Sequence, residues 1–233
     1  MPSVIKVIAS GGVLTSGTSP DQAQMTGEEL RAAVDEAQSA GRKVAAHAHG
    51  SSGMKTAVRA GVHSIEHATL MDEEAAAMMK QQGVFMVPTL SAMATTAACR
   101  LGCGIPESAL DKAKSMTKRH QVSFKNALRD GIQIAMGTDA GTPFNFHGEN
   151  AQELERMVAF GMSPMQAILS STSAAARLIG IQDQVGTIEN GKSADLLLFK
   201  GNPLRRIDLL RDRDRIVGVM QAGKFGAGPL SKT

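Results

Sequence analysis

The sequence contains no tryptophan and no tyrosine, and only seven phenylalanines in 233 residues. Platforms that stack nucleic-acid bases need aromatic faces, so a base-binding role has no support. No apolar run approaches the roughly 18 residues of a membrane-spanning helix. No long block of one charge exists either. The arginines between Arg205 and Arg215 are interrupted by Asp208, Asp212 and Asp214, and the formal net charge is only +3, which argues against a nucleic-acid tail. Gly-x-Ser-x-Gly does not occur, so a serine hydrolase has no support. The only cysteines are Cys99 and Cys103. Their spacing suits one face of a helix. A disulfide or a two-ligand metal clip is conceivable, but two free thiols are expected, because structural zinc normally takes four ligands. No charged stretch followed by an apolar run opens the sequence, so a cytoplasmic location is expected unless a signal lies in a missing part.

What is present is an alternation. Apolar runs at residues 4–9, 43–47, 64–67, 84–87 and 132–136 read as strands buried on both faces. Helical patterns follow them at 26–40, 51–60, 72–82 and 106–130, with two more at 151–160 and 164–178. Thr26 and Glu29 have capping-box spacing, and Ser163-Pro164 places a capping residue before a first-turn proline. Gly41, Gly61, Gly83 and Gly131 stop four of the helices. Five strands each followed by a helix spell parallel βα units. Fourteen methionines and many alanines suit a core of helices on apolar strands. After Gly180 the texture changes to short strands at 194–199 and 215–220. The expected organisation is an α/β body over residues 1–180, a small β segment over 181–225 and a frayed tail over 226–233.

Chemistry-bearing residues sit where parallel βα folds gather ligands, at the C-terminal ends of strands. His47 and His49 end the second strand, His67 the third and Asp139 follows the fifth. Lys6 lies inside the first strand between Ile5 and Val7. Each is costly in an apolar strand without a partner. Imidazole and carboxylate are preferred zinc ligands, and catalytic zinc sites keep one position open for water. His120 lies in the long helical stretch, with a solvated face and a functional role both open. His147 follows the Asp139 loop, where a substrate contact is reasonable. His63 precedes a strand and is expected at the surface.

Ile5-Lys6-Val7 with Ser10-Gly11-Gly12, Ala46-His47-Ala48-His49-Gly50, Ser64-Ile65-Glu66-His67, Val87-Pro88-Thr89-Leu90 and Gly137-Thr138-Asp139-Ala140-Gly141 occur in that order. They are followed by the run from Gly186-Thr187-Ile188-Glu189 to Ala194-Asp195-Leu196. Together these resemble the amidohydrolase superfamily, in the branch of Xaa-Pro dipeptidases, lysine- and arginine-type carboxypeptidases and imidazolonepropionase-related enzymes. The resemblance covers essentially the whole chain. It implies a TIM-type (β/α) barrel with one or two divalent metal ions, typically Zn²⁺. Lys6 matches the lysine that becomes carboxylated and bridges the metals. His47 and His67 match histidine ligands of the next two strands. Asp139 matches the aspartate that binds metal and moves the proton. His49, His120 and His147 are assigned to the substrate. The segment after Gly180 matches the C-terminal piece of a small β-sandwich.

Relatives also carry His-x-His on the first barrel strand, and no such motif precedes Lys6. The expectation is a partial barrel of strands four to eight with two open edges. Such a chain is expected to be a homo-oligomer, or to lack an N-terminal part. The expected function is metal-dependent hydrolysis of amide bonds in dipeptides or N-acyl amino acids, with no nucleic-acid or membrane partner. The alternatives are a truncated or non-catalytic scaffold and a mononuclear deaminase or ring-opening hydrolase, against which Lys6 argues.

Overall fold

The computed structural model describes residues 4–100 and 102–232. Four strands pair in parallel in the order β1 (Val4–Ile8), β2 (Lys43–Gly50), β3 (Ser64–Leu70) and β4 (Phe85–Val87). Parallel neighbours require crossover connections. The helices α1 (Gly27–Ser39), α2 (Ser51–Ala60) and α3 (Glu73–Gln82) supply them. Next come α4 (Leu90–Ala98), α5 (Glu107–Asp130), α6 (Ala151–Ala159), α7 (Pro164–Ser171) and α8 (Ser173–Ile179). A second, antiparallel sheet holds β5 (Leu196–Phe199), β6 (Ile216–Gln221) and β7 (Lys224–Ala227). This is the expected α/β class, a partial TIM-type barrel with a small additional sheet. Among the described residues no helix is long and apolar enough to cross a membrane.

Local sequence explains the helix ends. The Thr26–Glu29 and Ser163–Gln166 capping boxes both form, and Asp72 caps α3 through the Ala75 N–H. The outer face of the sheet is sealed by Leu30 and Val34 of α1, Met54 and Val58 of α2, Met79 of α3 and Phe124 of α5. They pack on Val44, Ala46 and Ile65. Strand alternation then decides what remains. Val7 and Ala9 are buried under the helices, whereas Lys6 and Ile8 face the concave side and stay exposed.

Several sequence expectations need correction. The fifth strand, residues 132–136, is reduced to a single parallel bridge between Met86 and Ile134. Its partner β4 is short because Pro88 has no N–H to continue the ladder, and Met136 turns its N–H to the Ser170 carbonyl. The helix expected over 164–178 breaks at Thr172, whose hydroxyl bonds back to the Ile168 carbonyl. Past residue 226 the described chain is still ordered into elements: Ala222 and Gly223 both take left-handed φ (49° and 79°) and form a tight hairpin into β7, and a 3-10 turn follows over Pro229–Lys232. Cys99 and Cys103 are disulfide-bonded rather than free. Cys99 has left the helix for extended backbone, and Gly102 turns the chain back.

One glycine fixes how the loop after β1 covers the strand ends. A Cβ on Gly50 would stand 2.5 Å from the Asp21 Cα and 2.9 Å from its carbonyl oxygen. The Ser10 hydroxyl accepts from the adjacent His49 N–H at 2.8 Å. Gly50→Ala is therefore expected to lower stability by about 1–3 kcal/mol, the usual overpacking cost. Denaturant unfolding checks it, and an unchanged midpoint removes the steric argument.

Candidate metal centre

His47 and His49 are two apart on β2 and share its concave face. In register, Ile8 lies beside His47, and His47 beside Glu66. Alternation alone would send His67 to the face of Ile65, away from Glu66. Instead the backbone turns left-handed at His67 (φ 70°) and Ala68 (φ 50°), and the ring swings to the strand end. There it stacks on His49 at 4.6 Å and meets His47 edge-on at 4.6 Å. Ligand-type atoms of His47, His49 and His67 all lie within 4.8 Å of one another.

Hydrogen bonds set the tautomers. The Thr89 hydroxyl is 2.7 Å from the Pro88 carbonyl and 2.6 Å from His67 Nδ1. Its single proton goes to the carbonyl, so His67 Nδ1–H donates to Thr89, and His67 Nε2 is left with a lone pair. That lone pair accepts from His47 Nδ1–H at 2.9 Å. His47 Nε2 then carries the last lone pair of the relay and is buried without a hydrogen-bond partner. The Gly11 carbonyl is near enough to favour a protonated His47 ring, but no aligned hydrogen bond forms. His49 Nδ1 meets the Thr69 hydroxyl at 2.8 Å.

Burial lowers the pKa of all these rings. His49 and His67 fall well below the ordinary histidine value, first through burial and then through neighbouring imidazoles. His120 drops to about 4, chiefly through burial. Neutral rings with free lone pairs are what a metal requires. The orphaned Nε2 and this donor set fit a divalent cation.

Lys6 Nζ stands 4.0 Å from Glu66 Oε2, and Ser64 donates to Glu66 Oε1 at 2.6 Å. Desolvation lowers the Lys6 pKa, while Glu66 and Asp139 oppose the shift. Desolvation raises that of Glu66, against Lys6 and Ser64. Asp139 follows the reduced fifth strand with φ 54°. Its carbonyl accepts from the buried Asn145 amide at 3.0 Å, which pins the loop. A Cβ on Gly137, two residues earlier, would collide with the Val87 side chain.

Lys6, His47, His49, His67, His120 and Asp139 line one cavity of about 290 Å³. Its apolar wall is Ile8, Val13, Leu14, Ala92 and Met93. A larger groove of about 680 Å³ lies against the C-terminal sheet, but it holds no histidine or lysine. His120 is buried, not solvated, and its Nε2 bonds the His67 carbonyl at 3.0 Å. His147 is not brought in: it is exposed on the loop beside Gly141. His63 is half-buried and accepts from the Val44 N–H. Sequence reading missed Glu66, Thr69 and Thr89. Only Glu66 left a signal, a carboxylate one residue before a candidate ligand.

The amidohydrolase family profile matches residues 2–226. The ochratoxinase of Aspergillus niger is 35% identical over 228 residues, covering 97% of this chain and 46% of that enzyme. A solved Xaa-Pro dipeptidase with methionine bound in its active site aligns with TM-score 0.91 and 41% identity, over 97% of this chain and 55% of the other. A solved prolidase complexed with N-methylphosphonate-L-proline aligns with TM-score 0.89 and 33% identity, over 96% and 54%. The chain thus spans about half the length of these relatives.

Proposed function

Because the chain belongs to the amidohydrolase family, we propose that its histidine cluster holds a hydrolytic divalent metal, Zn²⁺ first among the candidates, and serves to cleave amide bonds in dipeptides or N-acyl amino acids. The observation that carries this reading is the convergence of three neutral imidazoles whose ligand-type nitrogens lie within 4.8 Å of one another. His47, His67 and Asp139 are the proposed protein ligands, with Lys6 as a carboxylated bridge. His49 is kept for the substrate.

When bound, the cation acidifies water and polarises the scissile carbonyl. Asp139 accepts the proton of the attacking water on its carboxylate and delivers it to the leaving nitrogen. Lys6 has a chemical reason to be carboxylated. Its lowered pKa enlarges the share of neutral amine. That lone pair forms a bond to the carbon of CO₂, and the nitrogen releases a proton to give a carbamate. The apolar wall accepts an uncharged side chain. His120 holds the His67 carbonyl and keeps the left-handed turn in place.

Metal analysis tests the reading. The purified chain is expected to take up one or two equivalents of Zn²⁺, Co²⁺ or Mn²⁺ and to hydrolyse Xaa-Pro or N-acyl amino acid substrates. His67→Ala is expected to weaken metal binding by at least the roughly 10–100-fold seen when an outer partner of a ligand is lost. His49→Ala separates the two roles of that ring: retained affinity with a raised KM keeps it on the substrate side. A chain that binds none of these metals overturns the proposal.

A further inference from the structure

Glu153 is the one carboxylate among the described residues with no exposed surface, and the mechanism above does not use it. It sits in the first turn of α6. Its two oxygens each accept from a backbone N–H of another helix, Oε1 from Leu90 and Oε2 from Ser91, both at 2.7 Å. Those donors are the first two of α4, a helix with no side-chain cap of its own. Residue type would give that task to Thr89, which occupies the cap position. Thr89 is instead left-handed (φ 51°, ψ 41°), with its hydroxyl between the Pro88 carbonyl and His67 Nδ1.

We propose that Glu153 is a positioning residue for His67: it caps α4 in place of Thr89, which frees the Thr89 hydroxyl to hold His67 in the Nδ1–H tautomer with Nε2 unprotonated. The consequence for metal binding rests on the reading given under Proposed function, but the geometry does not. A cap supplied only for helix stability would not need a buried carboxylate, whose burial is costly. Burial raises its pKa to about 7 despite the N–H donors, so the site holds it against that cost. When the acceptor is lost, the hydroxyl at the cap position, that of Thr89, is the side-chain group that residue type assigns to the orphaned N–H groups. Rotation towards them releases His67 Nδ1 and lets the ring exchange tautomers.

The test is made on the metal-free chain with ¹⁵N-labelled histidine. Wild-type His67 is expected to show one tautomer, with the proton on Nδ1. Glu153→Gln, which turns an N–H group towards the helix donors, is expected to give a mixed His67 signal, as is Thr89→Val. Thr89→Ser should restore the wild-type signal. Glu153→Asp keeps the charge but retracts the acceptors, and serves if the glutamine variant does not fold. His67 ring shifts identical to wild type in the folded Glu153 variants, with only a lower Tm, overturn the proposal and leave Glu153 a plain cap. Co²⁺ titration adds the functional arm: the Kd is expected to weaken by about 10–100-fold in Glu153→Gln. If wild-type chain binds no Co²⁺ while the tautomer still shifts, the positioning role stands and the metal reading fails.

Discussion

Acidification of the metal-free chain from about pH 7 to about pH 4 lowers its stability steeply, and His120 alone accounts for about 3 kcal/mol of the loss. The unfolded chain takes up this proton near 6.5, but the buried ring in the fold takes it only near 4. The contribution is therefore complete above about 6.5 and disappears as the pH falls through about 4. His47, His49 and His67 are depressed in the same direction and add to the slope. Glu153 opposes them. Its pKa rises from 4.5 to about 7 on folding, so its contribution is full below about 4.5 and is lost as the pH rises through about 7. Glu66, also raised by desolvation, opposes them as well, and two carboxyls against four imidazoles leave a net fall in acid. Urea unfolding across this range, with chelator present, measures the slope. His120→Gln keeps an amide donor for the His67 carbonyl without a titrating ring, and should flatten the profile. Stability that stays level or rises on acidification would falsify the neutral-cluster description.

Under the proposed hydrolysis, Asp139→Asn lowers kcat by roughly 10²–10⁴-fold, the usual worth of a positioned proton carrier. The substitution is nearly isosteric. Asparagine also tolerates the left-handed backbone at this position (φ 54°) at least as well as aspartate. The carbonyl that receives the Asn145 and Thr142 hydrogen bonds belongs to the main chain and is retained. A folding defect is thus not expected, and Tm should stay close to wild type. Separate kcat and KM values, with metal content measured on the same samples, make the check. An unaltered kcat at full metal occupancy removes Asp139 from the proton path.

Much of this architecture could be read from local rules. The strands β1 to β3 announce themselves as apolar runs, and Thr26, Asp72 and Ser163 mark helix starts by side-chain chemistry. The family resemblance carried by the Lys6, His47, His67 and Asp139 motifs is borne out by the family profile and the solved relatives. What was not legible depends on partners distant in sequence. The fifth strand lost its ladder because β4 is cut short by Pro88. The α4 helix was invisible because its cap comes from Glu153, 62 residues beyond Ser91. His120 looked as much like a surface residue as a functional one because α5 has charged neighbours around it, yet its ring reaches the backbone of β3. For His67, the pattern marked a histidine at a strand end, but not the left-handed turn that places its ring.

That turn has an evolutionary consequence. His67, Ala68, Thr89 and Asp139 are all non-glycine residues with positive φ, a conformation that costs a residue with a Cβ roughly 1–2 kcal/mol. They gather at or beside the same cavity. Selection for thermal robustness alone would draw each of them towards glycine, and under the proposed metal reading three of the four replacements would delete a side chain that holds or orients a site atom. A lineage under pressure for stability is therefore expected to lose its chemistry before it loses its fold, while one that keeps its chemistry must recover the difference in the packing of the outer helices.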